Sequence, residues 1–276
     1  MSGHEPVLGL VLVGAGRAGH REAVLAEVGA VPHWFRPTDD PNGPHVAWVF
    51  GDEPEWPSYA ARALAAGAAA VVVDEPWPAD PEGLAALEAA DHRVVVTSGW
   101  SHAPQVRALA GLVAPVRELV TLVEVLLVGS AERAPAAILG GALFTLAAAG
   151  LGVDRVDQGV VRPTALTAEA GAGDTTVHLT CVRNPRATPR LRIAAFGSFG
   201  SLMATAADPL VAAPGEVVTV TAEGARLLPS NYRTPRRIAL GDAREAVLRG
   251  SRPTPSLSEY ARSARLALQV THEAIF

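Results

Sequence analysis

Residues 7–13, VLGLVLV, are apolar without a break, the pattern of a strand covered on both faces. GAGRAG (14–19) follows at once, and HREAVLAEVG continues with helical spacing. VPHWF (31–35) and HVAWVF (45–50) predict a second and a third strand, with the polar turn RPTDDPNGP between them. EWPSYAARALAAG (55–67) predicts a helix with Pro57 near its start and Gly67 as its stop. AAAVVV (68–73) predicts a fourth strand. DPEGLAALEAA (80–90) predicts a helix with Asp80 as N-cap and Pro81 at its first position. HRVVVTS (92–98) predicts a fifth strand, and APQVRALAGLV (103–113) opens another helix. Short apolar strands alternating with helices predict a doubly wound parallel sheet.

From about residue 116 the texture changes. ELVTLVEVLLV (118–128) fits a strand or a helix equally well, and 134–150 predicts an apolar helix. TTVHLTCVR (175–183), RLRIAAFG (190–197), VVTVTAEGARLLP (217–229) and RRIALG (236–241) alternate and are separated by turn residues, which predicts an antiparallel sheet. The tail SLSEYARSARLALQVTHEAIF predicts an amphipathic helix capped near Ser256 or Ser258.

GxGxxG is weak alone, but here it sits between a predicted strand and a predicted helix. Gly14 would permit the tight turn, Gly16 a close approach of a pyrophosphate, and Gly19 close packing of helix on sheet. The helix N-terminus would offer free amides to phosphates. A Rossmann-type dinucleotide site is the sharper reading of Gly14, Ala15, Gly16, Arg17, Ala18 and Gly19; a structural glycine turn is the plainer one. The expected fold class is α/β plus α+β: an N-terminal Rossmann-type parallel sheet over 1–115, then an open, mainly antiparallel sheet domain over 116–276 for substrate and oligomerisation.

The acidic residue that selects NAD is expected about 20 residues past the first glycine. Trp34-Phe35-Arg36 stand there, with Thr38 beyond, and no carboxylate. Arg36 would receive a 2′-phosphate, favouring NADPH, or is a surface arginine; Asp39 and Asp40 are ribose ligands if the strand runs longer. Residues 36–44 alone separate the second and third strands, where a helix and a further strand are usual, so the adenine side is expected to be trimmed.

A net charge of −5 gives no field for nucleic acid or anionic lipid. All 23 basic residues are arginine, which removes lysine Schiff bases and lysine acids or bases. The single cysteine, Cys181, lies in the apolar alternation VHLTCV and reads as a core thiol in a reducing, cytoplasmic setting. The first 16 residues lack a basic n-region, so no signal peptide is expected. The apolar run 134–152 is glycine-interrupted and reads as a buried helix rather than a membrane span. The eight histidines show no metal-ligand spacing.

VGAGRAG, FGDEPEWPSYAARALAAGAAAVVVDEPWP and VVVTSGWSHAPQVRAL together resemble the Gfo/Idh/MocA oxidoreductases. Within that family, PADPEGLAAL, SHAPQVRAL, the helix AAILGGALFTLAAAGLG and the run TVHLTCVRNPRATPRLRIAAFGSFGSLMATAADPLV are similar in pattern to thiazolinyl imine reductases of siderophore and nonribosomal-peptide assembly. The resemblance implies NADPH-dependent reduction of a C=N bond in a small or carrier-tethered substrate, and a homo-oligomer. The sequence departs from the family at two proton donors: Glu75 stands at the lysine position and Trp100 at the tyrosine position.

Asp74 and Glu75 end a predicted strand, where ligands of open α/β sheets bind. A carboxyl there would give a proton if its neighbour or burial raised its pKa. His102 is the other donor candidate, or a cap for the helix that follows. Trp77 and Trp100 shape a pocket, and Tyr232, beside Asn231, is a further acid. His20 is placed to line the phosphate site; His92 and His178 read as structural. The basic runs RNPRATPRLR (183–192) and RTPRR (233–237) suit an acidic carrier protein or are solvated arginines. The alternative to a reductase is a non-redox relative, a cyclase, an isomerase or a non-catalytic partner, that has lost its cofactor.

Overall fold

The computed structural model describes residues 6–14, 16–17, 19–39, 43–79, 81–129 and 133–273. Ala15, Ala18, Asp40 and Asp80 lie outside the described residues. The chain forms two compact units: residues 1–97 with 236–258, and residues 98–235 with 259–276. This division differs from the expected one. The chain leaves the first unit at Thr97, not near residue 115, and returns to it with one late helix.

The first unit carries β1 (Leu8–Val13), α1 (His20–Gly29), β2 (Phe35–Pro37), β3 (His45–Phe50), α2 (Trp56–Ala65), β4 (Ala70–Asp74), α3 (Pro81–Glu88) and β5 (Val94–Thr97). The strands pair in parallel in the order β2-β1-β3-β4-β5. β3, β4 and β5 are buried at every position, which is why they read as unbroken apolar runs. The second strand is Phe35–Pro37 rather than 31–35; residues 32–34 turn, and Trp34 N–H donates to the Val31 carbonyl.

Among the described residues no helix joins β2 to β3. A crossover between parallel strands usually needs a dozen residues or more, and here 38–44 suffice because β2 is three residues long. The uncovered face shows the consequence: Gly9, Val11 and Val13 of β1 are only half-buried. On the opposite face Val24 and Val28 of α1 share a core with Leu8, Leu10, Trp48 and Val72.

That core also holds Ala239, Leu240 and Ala243. They belong to the late helix, Pro235–Arg249. RRIALG (236–241), expected as a strand, is its first half. Six residues carry too little period to decide; the full run places Ala239, Leu240 and Ala243 on one helical face, all buried.

The second unit begins with α4 (Pro104–Val113), β6 (Val120–Gly129) and α5 (Pro135–Ala148). β7 (Arg155–Val161), β8 (Ala165–Ala172), β9 (Thr175–Arg183), β10 (Arg190–Gly197), β11 (Gly200–Ala206), β12 (Glu216–Thr221) and β13 (Gly224–Leu227) follow. In chain order the helix Pro235–Arg249 is α6 and the last helix, Leu257–Glu273, is α7. The ambiguous segment 118–128 is therefore the strand β6. The sheet order is β13-β12-β11-β10-β6-β9-β8-β7, antiparallel except where β6 meets β9. β7, β8 and β11 escaped the sequence reading, since glycines and charged residues interrupt their alternation.

α5 is apolar all round because it is buried between sheet and helix: Leu139, Leu143 and Leu146 join the core of Val123, Val177 and Ile193, and Ala267 of α7 packs there too. Cys181 lies in this core, and burial pushes its thiol up to about 12, so at neutral pH it is a packed apolar group. No helix among the described residues is long and apolar enough to cross a membrane.

Candidate functional site

In the first unit the chain steps from β1 outward to β2, then back past β1 to β3. The carboxyl ends of β1 and β3 therefore flank the switch point, where open α/β sheets take their ligands. Gly14, Gly16 and Gly19 stand at that end of β1 with φ of 90°, 67° and 77°, conformations that glycine adopts without strain. Two of the expected reasons for these glycines change. A Cβ on Gly16 would meet the Phe50 ring at 2.9 Å, so packing alone already requires glycine there. A Cβ on Gly19 would meet nothing within 4 Å, so Gly19 serves its backbone angle as the N-cap of α1, not helix–sheet packing. No side chain caps α1, which leaves its first amides facing the turn without a side-chain acceptor.

β3 ends in Phe50-Gly51-Asp52. Gly51 N–H donates to the Asp74 carbonyl at 2.8 Å, and Glu75 N–H donates to the Thr97 carbonyl at 2.8 Å, so the ladder continues past the strand ends. A Cβ on Gly51 would sit 2.6 Å from the Pro76 Cα. Only glycine lets the segment after β4 lie this close, and the sequence reading passed over it. Trp77 folds back here: its amide donates to the Gly51 carbonyl, and its own carbonyl accepts from Trp56 Nε1 at 2.9 Å. Glu75 has φ 54°, the only non-glycine positive φ among the described residues. Such backbone outliers gather at functional sites.

Asp74, buried at the end of β4, is held by Arg236 at the start of α6. The ion pair anchors the end of β4. Arg17 of the glycine turn reaches Asp52 at 3.6 Å. His20, the first residue of α1, stands among these charges. Burial and the charges of Arg236 and Arg17 push its pKa below the ordinary 6.5, against the opposing pull of Glu75 and Asp52. The structure thus brings Arg17, His20, Asp52, Asp74, Glu75 and Arg236 to one end of the sheet. Asp52 and Arg236 had no sequence signal.

On β2 the register matters. Arg36 is paired opposite Gly9, and Thr38 N–H donates to the Leu10 carbonyl. Arg36 is therefore five residues short of Gly14, about 16 Å along the strand. That is beyond the reach of its side chain, which is exposed. Thr38 and Asp39 lie nearer the carboxyl end.

In the second unit His102 is fully buried, and its Nδ1 shares a hydrogen bond of 3.1 Å with Ser101 Oγ, which accepts from Ser98 N–H. His102 does not cap α4: Ala103 is the N-cap and no side chain bonds there. Trp100 is buried and donates from Nε1 to the Ala207 carbonyl at 2.7 Å. It lines a shallow, open depression together with Gln105, Asp208 and Arg233. Tyr232 is 59% exposed, and the neighbouring Asn231 carbonyl accepts from Gln105 Nε2. His92 and His178 are exposed, and no group of metal-ligating side chains occurs among the described residues.

No protein-family model matches the sequence, and no curated protein matches it by sequence. Solved structures match it over nearly the whole chain. An oxidoreductase from Sinorhizobium meliloti is 14% identical, covers 98% of this chain and 98% of its own, and superposes with a TM-score of 0.74. GenD2 from gentamicin A biosynthesis, in complex with NAD, is 17% identical, with 99% and 96% covered and a TM-score of 0.70. KijD10, a 3-ketoreductase from Actinomadura kijaniata in complex with NADP, is 16% identical, with 97% of each chain covered and a TM-score of 0.66. The chain has the fold of these oxidoreductases. This is also the fold that the resemblance to the Gfo/Idh/MocA oxidoreductases implies.

Proposed function

We propose that the chain is a nicotinamide-dinucleotide-dependent reductase, using NADPH, that reduces a C=N bond in a small or carrier-tethered substrate. The observation that carries the dinucleotide part is the glycine turn at the switch point, leading into an α1 N-terminus that no side chain caps. Neighbours of the same fold are named as complexes with NAD or NADP. NADPH is preferred because β2 itself carries no carboxylate for a ribose 2′-hydroxyl, and Asp39, just beyond Thr38, is the residue that would favour NADH instead.

The C=N part rests on the resemblance to thiazolinyl imine reductases. The chain has no lysine, so Glu75 or His102 would have to give the proton. An imine nitrogen is basic enough to take its proton from water or a weak donor. Bound cofactor would supply the hydride to the imine carbon. The chain's own residues would do the rest: the α1 amides and Arg17 hold phosphates, and Glu75 or His102 protonates nitrogen. Asp74 and Arg236 fix the strand end that carries Glu75. A homo-oligomer belongs to the same reading.

A second reading is favoured by one observation. Gly16 is explained by Phe50 without a ligand, and among the described residues no helix joins β2 to β3, as in a turn kept after cofactor use is lost. Calorimetry on nucleotide-stripped protein separates the two. Micromolar NADPH binding with weaker NADH supports the reductase; no binding of either by folded protein rejects it.

A further inference from the structure

We infer that Asp52 is the residue that recognises the nicotinamide-side ribose, accepting a hydrogen bond from its hydroxyls through Oδ1. The inference rests on the dinucleotide reading of the first unit and assigns a residue to its second half.

Asp52 stands just past β3, beside the switch point. Its Oδ2 is engaged by Arg17. Its Oδ1 is buried and has no hydrogen-bond partner among the described residues, although the side chain as a whole is 13% exposed. A buried carboxylate oxygen left without a donor is costly, and a ligand that brings one recovers that cost. The choice of donor follows from charge. A second carboxylate oxygen repels phosphate, so the pyrophosphate belongs with the α1 amides and Arg17. A neutral hydroxyl suits the carboxylate. The side of the sheet then selects which ribose. β2 lies on one side of β1 and receives the adenosine half, while β3 and Asp52 lie on the other side. Arg17 lies 3.6 Å from Oδ2, an ion pair with the carboxylate oxygen other than Oδ1.

The test compares NADP+ with adenosine 2′,5′-bisphosphate, which lacks the nicotinamide half, by calorimetry on wild type and Asp52→Ala. The variant is expected to bind NADP+ about 10- to 100-fold more weakly, as for loss of a charge-assisted hydrogen bond, and to bind the bisphosphate as wild type does. Unchanged NADP+ affinity overturns the assignment. An equal loss for both ligands also overturns it, because Asp52 would then act only through the turn. A measurement on wild type needs no variant: an NADP+ analogue without the nicotinamide-ribose hydroxyls must bind about 10- to 100-fold more weakly than NADP+. Full affinity for that analogue sinks the assignment. Failure of the wild type to bind NADP+ at all rejects the dinucleotide reading itself, and this inference with it.

Discussion

Arg236 grips one oxygen of Asp74 with two nitrogens, Nε at 3.1 Å and Nη2 at 2.9 Å, across 162 residues of sequence. Their side chains are 6% and 3% exposed. This pair ties the late helix α6 to the end of β4 within the first unit, immediately before the strained Glu75. Removing one partner leaves the other charge buried without this ion pair. Arg236→Met or Asp74→Leu is expected to cost about 3–5 kcal/mol, while the double variant recovers most of it. Urea unfolding of the three variants checks this. Additive losses would show that the pair carries no coupling.

Glu75 presents a sharper trade. Its φ of 54° costs an L-residue about 1–2 kcal/mol relative to glycine. Glu75→Gly is therefore expected to raise stability by about 1 kcal/mol, less the added chain entropy of glycine. If Glu75 gives the proton, Glu75→Gly and Glu75→Gln both lose turnover while cofactor affinity holds. Thermal unfolding and steady-state rates on the same samples check both halves. Retained turnover in both variants would leave His102 as the donor to pursue.

What the sequence disclosed, and what it hid, divides by range. β3, β4 and β5 were legible because burial on both faces writes unbroken apolar runs, and β1 because it is apolar throughout although one face is only half-buried. The glycine turn was legible because its flanks were. Gly51 was not, since its reason is the Pro76 backbone on another strand. Arg236 was not, because its short window mimicked alternation and its partner is in β4. The level of Arg36 on its strand was hidden for a similar cause. Counting residues from Gly14 found β2, but only pairing to Gly9 fixes how far along it Arg36 stands.

That register makes a prediction about cofactor choice. If Arg36 held the 2′-phosphate, Arg36→Ala would erase a preference for NADPH over NADH. Paired opposite Gly9, it is expected to shift the ratio of the two affinities less than about twofold, as for a surface residue. Thr38→Asp, nearer the carboxyl end, is expected to move the ratio toward NADH by about tenfold, since a carboxylate there repels the phosphate and accepts from a ribose hydroxyl. Calorimetric titration of both cofactors reads the two ratios. A large effect at Arg36 would mean that the end of β2 rearranges on binding.

His20 gives the pH dependence. Its pKa is lowered in the folded state, chiefly by burial and then by Arg236, so folding disfavours its charged form. Between that lowered value and the ordinary 6.5 the unfolded chain binds more protons than the folded one. Stability therefore rises with pH across that window. The contribution is complete above 6.5 and is lost as pH falls through the window. His20→Gln removes this titration, so the stability difference between wild type and variant should shrink on acidification and be flat above neutrality. Arg17, Asp52, Glu75 and Arg236 all act on His20. Glu75→Gln removes a charge that favours the protonated ring, so it should lower the His20 pKa further, which extends the window downward from 6.5 and enlarges the total loss of stability on acidification. Urea midpoints at a series of pH values, with the imidazole followed by NMR, check the sign. A His20 pKa found above 6.5 would reverse it, and would mean that the carboxylates of Asp52 and Glu75 dominate the site over burial and Arg236.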